Sequence, residues 1–141
     1  FSENLIIDMS PQGMRIQIAD AEQSSMFASG SARMLPHTKH LLNKIMQAIR
    51  TLPNDIAILG HTDSVPYRGD DGYSNWELST DRANASRRAL VEAGLPASRI
   101  VRVVGMADTE PLIPEDPESA KNRRISILIL RDSVGLFVRN Q

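Results

Sequence analysis

The chain has 141 residues, 41% of them hydrophobic and 23% charged, with a formal net charge of −1. That is enough for one ordinary domain with a two-layer core, and the composition argues against global disorder. The charge gives no broad electrostatic footprint for nucleic acid, and the absence of cysteine excludes a zinc-thiolate site, a thiol nucleophile and a disulfide framework.

In chain order, "LIIDM" (5–9) and "GMRIQIA" (13–19) read as two strands joined by the turn "SPQG". In the second, Met14, Ile16 and Ile18 alternate with Arg15 and Gln17, the pattern of a strand with one wet face. "SSMFASGSARM" (24–34) is too small and polar for a regular element. Pro36 suits the first turn of a helix running to about Leu52, with Leu41, Leu42, Ile45, Ile49 and Leu52 on one face and Pro53 as its stop. "DIAILG" (55–60) is a short apolar strand of the kind covered on both faces.

A second helix is expected over Asn75–Ala93, with Gly94 beyond its end and Pro96 after it. "RIVRVVGM" (99–106) reads as a third core strand. A loop rich in proline and acids (107–121) leads to the last strand, "RRISILIL" (123–130). The tail "RDSVGLFVRNQ" suits either a short added strand or a frayed end. The whole is a hairpin, then α-β-α-β, then a final strand. This is an α+β pattern with a mixed sheet and both helices on one face. Strand–helix–strand crossovers imply parallel pairing with right-handed connections.

No stretch approaches the roughly 20 apolar residues of a membrane helix. The chain starts at Phe1 without an initiator methionine or a signal-like segment, so it reads as part of a larger protein. Lack of cysteine suits the periplasm and the cytosol equally.

The second helix carries the chemical clue. At about 100° per residue, with Leu78 as origin, Ala85, Ala89 and Ala93 share its stripe within about 60°. Arg82 lies inside that stripe and Asn75 close to it, while Glu77, Asp81, Asn84 and Arg88 form a charged flank. An arginine on the sheet-facing side of a helix needs a partner. One reading is a structural salt bridge. The other is a guanidinium fork facing a cleft, able to grip a ligand carboxylate with two bonds. The first turns of this helix should lie near the C-terminal end of strand 55–60, and Asp63 stands just past that end, where open α/β sheets hold their ligands. An acid and an arginine across a crevice suit a zwitterion: Asp63 accepts from an ammonium while Arg82 takes the carboxylate on the same carbon. Without a ligand the two are free to pair with each other.

"GHTDSVPYRGDDGYSNWELSTDRANASRRALVEAGL", "RVVGMADTEP" and "NRRISILIL" resemble the OmpA-like peptidoglycan-binding domain, and "GMRIQI…MFASGSARM" matches the start of that family. The likeness covers roughly residues 5–131. The long loop before "NWELSTDRANASRR" is similar to that of the family's flagellar-motor stator members. The resemblance implies the family's β/α/β/α/β-β sandwich and a ligand, the diaminopimelate of the peptidoglycan stem peptide. In the family the Asp of "TD" and the Arg of "LSxxRA" hold its amino and carboxyl groups; these match Asp63, which follows Thr62, and Arg82. Asn75 and Leu78 match pocket-lining positions, and Arg123 and Arg124 match paired arginines at the pocket mouth. Lipoprotein members carry an Asp directly after the residue matching Phe27, where this chain has Ala28, so part of that contact is expected to be missing. Loop 64–74 is long enough to cover or narrow the site.

For the stator branch the resemblance implies a periplasmic domain behind a single inner-membrane span. It also implies a homodimer, a stator partner subunit in the membrane, a contact with the flagellar P-ring, and no cofactor. Two alternatives stand beside it: a protein-interaction or dimerisation module, and a wall anchor of this family outside the flagellar motor.

Other chemistry is poorly supported. His61, Asp63 and Ser64 are too close on one extended segment to form a relay, because successive side chains point apart. His37 and His40 sit three apart on a helix without an acidic third ligand. His61 is expected to order the strand end through hydrogen bonds. "RRAL" and "NRR" are balanced by acids and read as solvated surface, not as a nucleic-acid patch. Trp76 fits a partner-facing anchor, a lid on loop 64–74, or packing under that loop, and the last is the preferred reading.

Overall fold

The structure, a computed structural model, describes residues 3–131. The first hairpin pairs β1 (Leu5–Ser10) with β2 (Gly13–Ala19). Its turn depends on Gly13, whose φ of 141° is closed to other residues and whose Cβ would meet the Ile129 carbonyl oxygen at 2.0 Å. Helix α1 (Pro36–Ile49) follows, then β3 (Ile56–His61), α2 (Asn75–Ala93), β4 (Ile100–Gly105) and β5 (Arg124–Leu130). Helix α1 ends three residues short of Leu52, which still packs against the core.

The five strands form one mixed sheet in the order β1-β2-β5-β3-β4. Only β3 and β4 pair in parallel, joined by α2; the β1–β2, β2–β5 and β5–β3 pairs are antiparallel. The crossover through α1 therefore does not bring β2 beside β3, because the last strand inserts between them. That insertion also moves 100–105 from the expected core to the sheet edge, where Val101 is 52% exposed.

One main core explains the two-layer build. Ile16 and Ile18 of β2, Ile56 and Ile58 of β3, and Ile125, Ile127 and Ile129 of β5 bury one face of the sheet under Leu41, Leu42, Ile45, Met46 and Ile49 of α1 and Leu90 of α2. Alternation sends Ala57, Leu128 and Leu130 to a small cluster on the other, helix-free face. The tail expectation falls, from residue 132 onward, outside the described residues.

Candidate functional site

Helix α2 is set unusually close to the sheet. A Cβ on Gly60 of β3 would lie 2.1 Å from the Ser79 carbonyl oxygen, and one on Gly105 of β4 would lie 1.9 Å from the Thr80 hydroxyl. Two glycines thus let the helix backbone settle on the C-terminal ends of the parallel pair. The helix start is fixed by a capping box: Ser74 Oγ accepts from the Trp76 amide, and Glu77 accepts from the Ser74 amide at 2.7 Å. At the far end Gly94 adopts a φ of 123°. These local signals put Asn75, Leu78 and Arg82 over the end of β3.

Beyond β3 the chain is held on both sides. The Thr62 amide donates to Ala107 at 2.8 Å, and the Thr62 hydroxyl donates to the Asp63 carbonyl at 2.9 Å. Asp63 Oδ1 accepts from the Val65 amide at 3.0 Å, which turns the chain into loop 64–74. Asn75 Nδ2 then donates to the Val65 carbonyl at 3.0 Å, tying the loop to the helix.

The result is a hollow of about 320 Å³ lined by Thr62, Asp63, Asn75, Leu78, Arg82 and Arg123, together with Asp20 just after β2 and residues of loop 25–30 and loop 65–67. Asp63 and Arg82 face it together but do not pair. Asp63 Oδ2 accepts from Arg123 Nη1 at 2.7 Å, and Arg123 Nε donates to Asp20 Oδ2 at 2.8 Å. Arg82 instead donates Nε to the Ser31 carbonyl at 2.7 Å and Nη2 to the Ala28 carbonyl at 3.4 Å, and its guanidinium carbon lies 5.0 Å from the centre of the Phe27 ring. The structural-salt-bridge reading of Arg82 therefore does not describe it: its protein partners are carbonyls and a ring. Its Nη1 has no acceptor among the described residues.

The electrostatics follow from these contacts. Burial lowers the pKa of Arg82; Asp20 opposes that shift and Arg123 adds to it. Burial also opposes the charge of Arg123, but its hydrogen bonds to Asp20 and Asp63 outweigh this and raise its pKa. Both arginines are cations at any physiological pH. The hollow can therefore receive a carboxylate on the Arg82 side and an ammonium on the Asp63 side.

Several residues of the hollow escaped sequence reasoning. Asp20 follows the strand read over 13–19, and nothing nearby marks it as a partner of Arg123, which is 103 positions away. Phe27 and Gly30 belong to a segment without periodicity, in which Gly30 turns with a φ of 59°. Tyr67 donates its hydroxyl to the Gly30 carbonyl at 3.0 Å, bridging loop 64–74 to that segment. The loop does narrow the hollow, through Val65, Pro66 and Tyr67. Tyr73 donates to Asp81 Oδ2 at 2.5 Å and packs its ring 5.3 Å from that of Tyr67, which fastens the loop to α2.

Three expectations need correction. Arg124 does not line the hollow. Consecutive strand residues point to opposite faces, and Arg124 lies on the helix-free side, donating to Gln17 Oε1 at 2.8 Å and to the carbonyls of Asn122 and Glu110. Burial there, with Arg15 nearby, brings its pKa down to about 10 despite Glu110 and Asp8. His61 does not order the strand end: its Nδ1 is buried without a hydrogen bond, and it lines a groove on the helix-free face with Leu59 and Ser126. Trp76 is 53% exposed and so is not packed under loop 64–74.

Comparison with known proteins agrees with this architecture. The family model described as the OmpA family matches residues 26–124. Motility protein B of Escherichia coli (strain K12) is 49% identical over 128 residues, which cover 90% of this chain and 42% of that protein. The chain thus spans less than half the length of that relative. Among solved structures, the cell wall anchor of the T6SS from Pseudomonas aeruginosa superposes with a TM-score of 0.76 at 27% identity, over 93% of this chain and 90% of that one. The periplasmic domain of Helicobacter pylori MotB (residues 97-256) shares the fold, with a TM-score of 0.79 at 21% identity over 96% and 94% of the two chains. The matched segment runs from the loop that carries Phe27 to the first residue of β5 and so contains most of the folded core; the chain belongs to the OmpA family.

Proposed function

We propose that the chain binds peptidoglycan without covalent chemistry, taking the free amine and carboxylate of diaminopimelate in the stem peptide. The observation that carries this reading is the convergence of Asp63 and Arg82 on one hollow from the end of β3 and from α2. The acid accepts from the ammonium, and the guanidinium, with Nη1 uncommitted, takes the carboxylate. Thr62, Asn75, Leu78 and Arg123 shape the walls around the head group. In this reading the role is binding: His61 lies on the other face of the sheet from the hollow, so it forms no relay with Asp63 and Ser64.

In this reading the 141 residues form one wall-binding domain of a longer, membrane-anchored protein whose periplasmic part holds a flagellar motor stator to the cell wall. The likeness to Motility protein B supports that placement. Its expected partners are a second copy of the chain, a stator subunit in the inner membrane and the flagellar P-ring. An anchor outside the flagellar motor is the second reading, supported by the similarity to the Pseudomonas wall anchor.

Calorimetry with stem peptides and co-sedimentation with purified murein test the binding. Asp63→Asn and Arg82→Ala are expected to abolish it while the chain stays folded, and amidation of the ligand carboxylate is expected to weaken it. Undiminished binding by both variants would rule out this hollow as the site.

A further inference from the structure

Asp20 and Asp63 stand at the ends of different strands and converge on one guanidinium. Arg123 gives Nε to Asp20 and Nη1 to Asp63, at 2.8 and 2.7 Å. Asp20 is only 7% exposed and is itself fixed, since its Oδ1 accepts from the Met26 amide at 2.8 Å. Among the described residues no carboxylate is bonded to Arg82; Ala28 offers it a carbonyl and no acid. The charges lining the hollow therefore cancel, two acids against two arginines.

That balance bears on selectivity. Bringing net charge into a desolvated hollow is costly, whereas a zwitterionic head group is neutral overall and still offers one charge to each wall. Without Asp20 the cation of Arg123 would rest on Asp63 alone and the lining would be net positive. Asp63 would then be a weaker acceptor for an ammonium, and a plain carboxylate would become the better guest.

We infer that Asp20 is a positioning residue that sets the preference of the hollow for a zwitterion over a plain carboxylate, by sharing the charge of Arg123 with Asp63. The inference rests on the peptidoglycan reading and names the feature of the stem peptide that this chain selects, an amino-acid terminus with both groups free.

Calorimetry on the 141-residue chain with two probes tests it. One probe is a murein stem peptide whose diaminopimelate keeps its free amine and carboxylate. The other carries pimelate there and lacks the amine. The unaltered chain is expected to prefer the first by roughly ten-fold or more, the worth of one charge-assisted hydrogen bond. Asp20→Asn keeps the side-chain size and the acceptor for Met26; it is expected to bring the ratio near one while binding of the pimelate peptide holds or rises. Arg123→Gln leaves both acids in place and is expected to raise the ratio above that of the unaltered chain. A folded Asp20→Asn variant with an unchanged ratio overturns the role of Asp20, as does an equal loss for both probes, which marks a purely structural part. An unchanged or lower ratio in Arg123→Gln overturns it as well. If the unaltered chain binds neither probe, the peptidoglycan reading itself fails, and this inference with it.

Discussion

Asp63 and Arg82 look into one hollow from opposite walls without an ion pair between them. Each is held by a different neighbour, Asp63 by Arg123 and Arg82 by the carbonyls of Ser31 and Ala28. On the proposed reading the hollow is thus already assembled, and a ligand need not break an Asp63–Arg82 bridge to enter. Preorganisation of this kind lowers the cost of binding, because the side chains are ordered before the guest arrives.

On the proposed reading Arg82 has two duties, structural and ligand-binding, that substitution can separate. Arg82→Ala leaves two carbonyls and the Phe27 ring without their donor, and it is expected to cost about 2 kcal/mol of stability in urea unfolding. Arg82→Lys keeps the charge but cannot offer a planar fork. Its stability is expected to fall less, while affinity for the stem peptide drops roughly ten-fold. Full affinity in Arg82→Lys would show that the guanidinium geometry is not used.

The close seat of α2 predicts a sharp response at Gly60. In Gly60→Ala the new Cβ would meet the Ser79 backbone oxygen at 2.1 Å, and backbone cannot rotate aside as a side chain can. The helix must lift off β3, which is expected to cost about 3 kcal/mol and to lower the melting temperature by roughly 10 °C. Because the lift displaces Arg82 from Asp63, ligand affinity should fall as well. A melting temperature within about 2 °C of the unaltered chain would contradict this packing.

His61 makes stability depend on pH. Burial, reinforced by Arg124 and then Arg15, brings its pKa from 6.5 down to about 3. The folded chain therefore holds this ring neutral, while the unfolded chain protonates it near 6.5. The stabilisation is complete above that value and is lost as pH falls from 6.5 towards about 3. By pH 5 the loss is expected to be about 2 kcal/mol. Urea unfolding at pH 7.5, 6 and 5 checks this against His61→Gln, whose stability should fall less over the same interval. Parallel curves for the two chains would contradict a neutral buried ring.

Much of the architecture was legible because its signals are local. Helix α2 runs from Asn75 to Ala93 as its pattern predicts, since Ser74, Glu77 and Gly94 act within a turn of each end. The placing of Arg82 on the sheet-facing stripe follows from helical spacing alone, and so does its presence beside Asn75 and Leu78 in the hollow. Strand alternation likewise put Ile16 and Ile18 on the helix-covered face, but the opposite face is not wet as expected, since Gln17 is fully buried there against Arg124 and Ser126.

What the linear chain by itself determined is where its helices and strands lie and which side chains share a face, because backbone propensity, capping and periodicity reach only a few residues. Tertiary structure alone decided that β5 enters between β2 and β3, that β4 is an edge, and that Arg124 turns away from the hollow. It also decided that Arg123 is shared between Asp20 and Asp63, positions 103 and 60 residues distant. Such pairings depend on strand order and register, which are set by burying all the apolar faces at once and leave no mark on any short stretch of sequence.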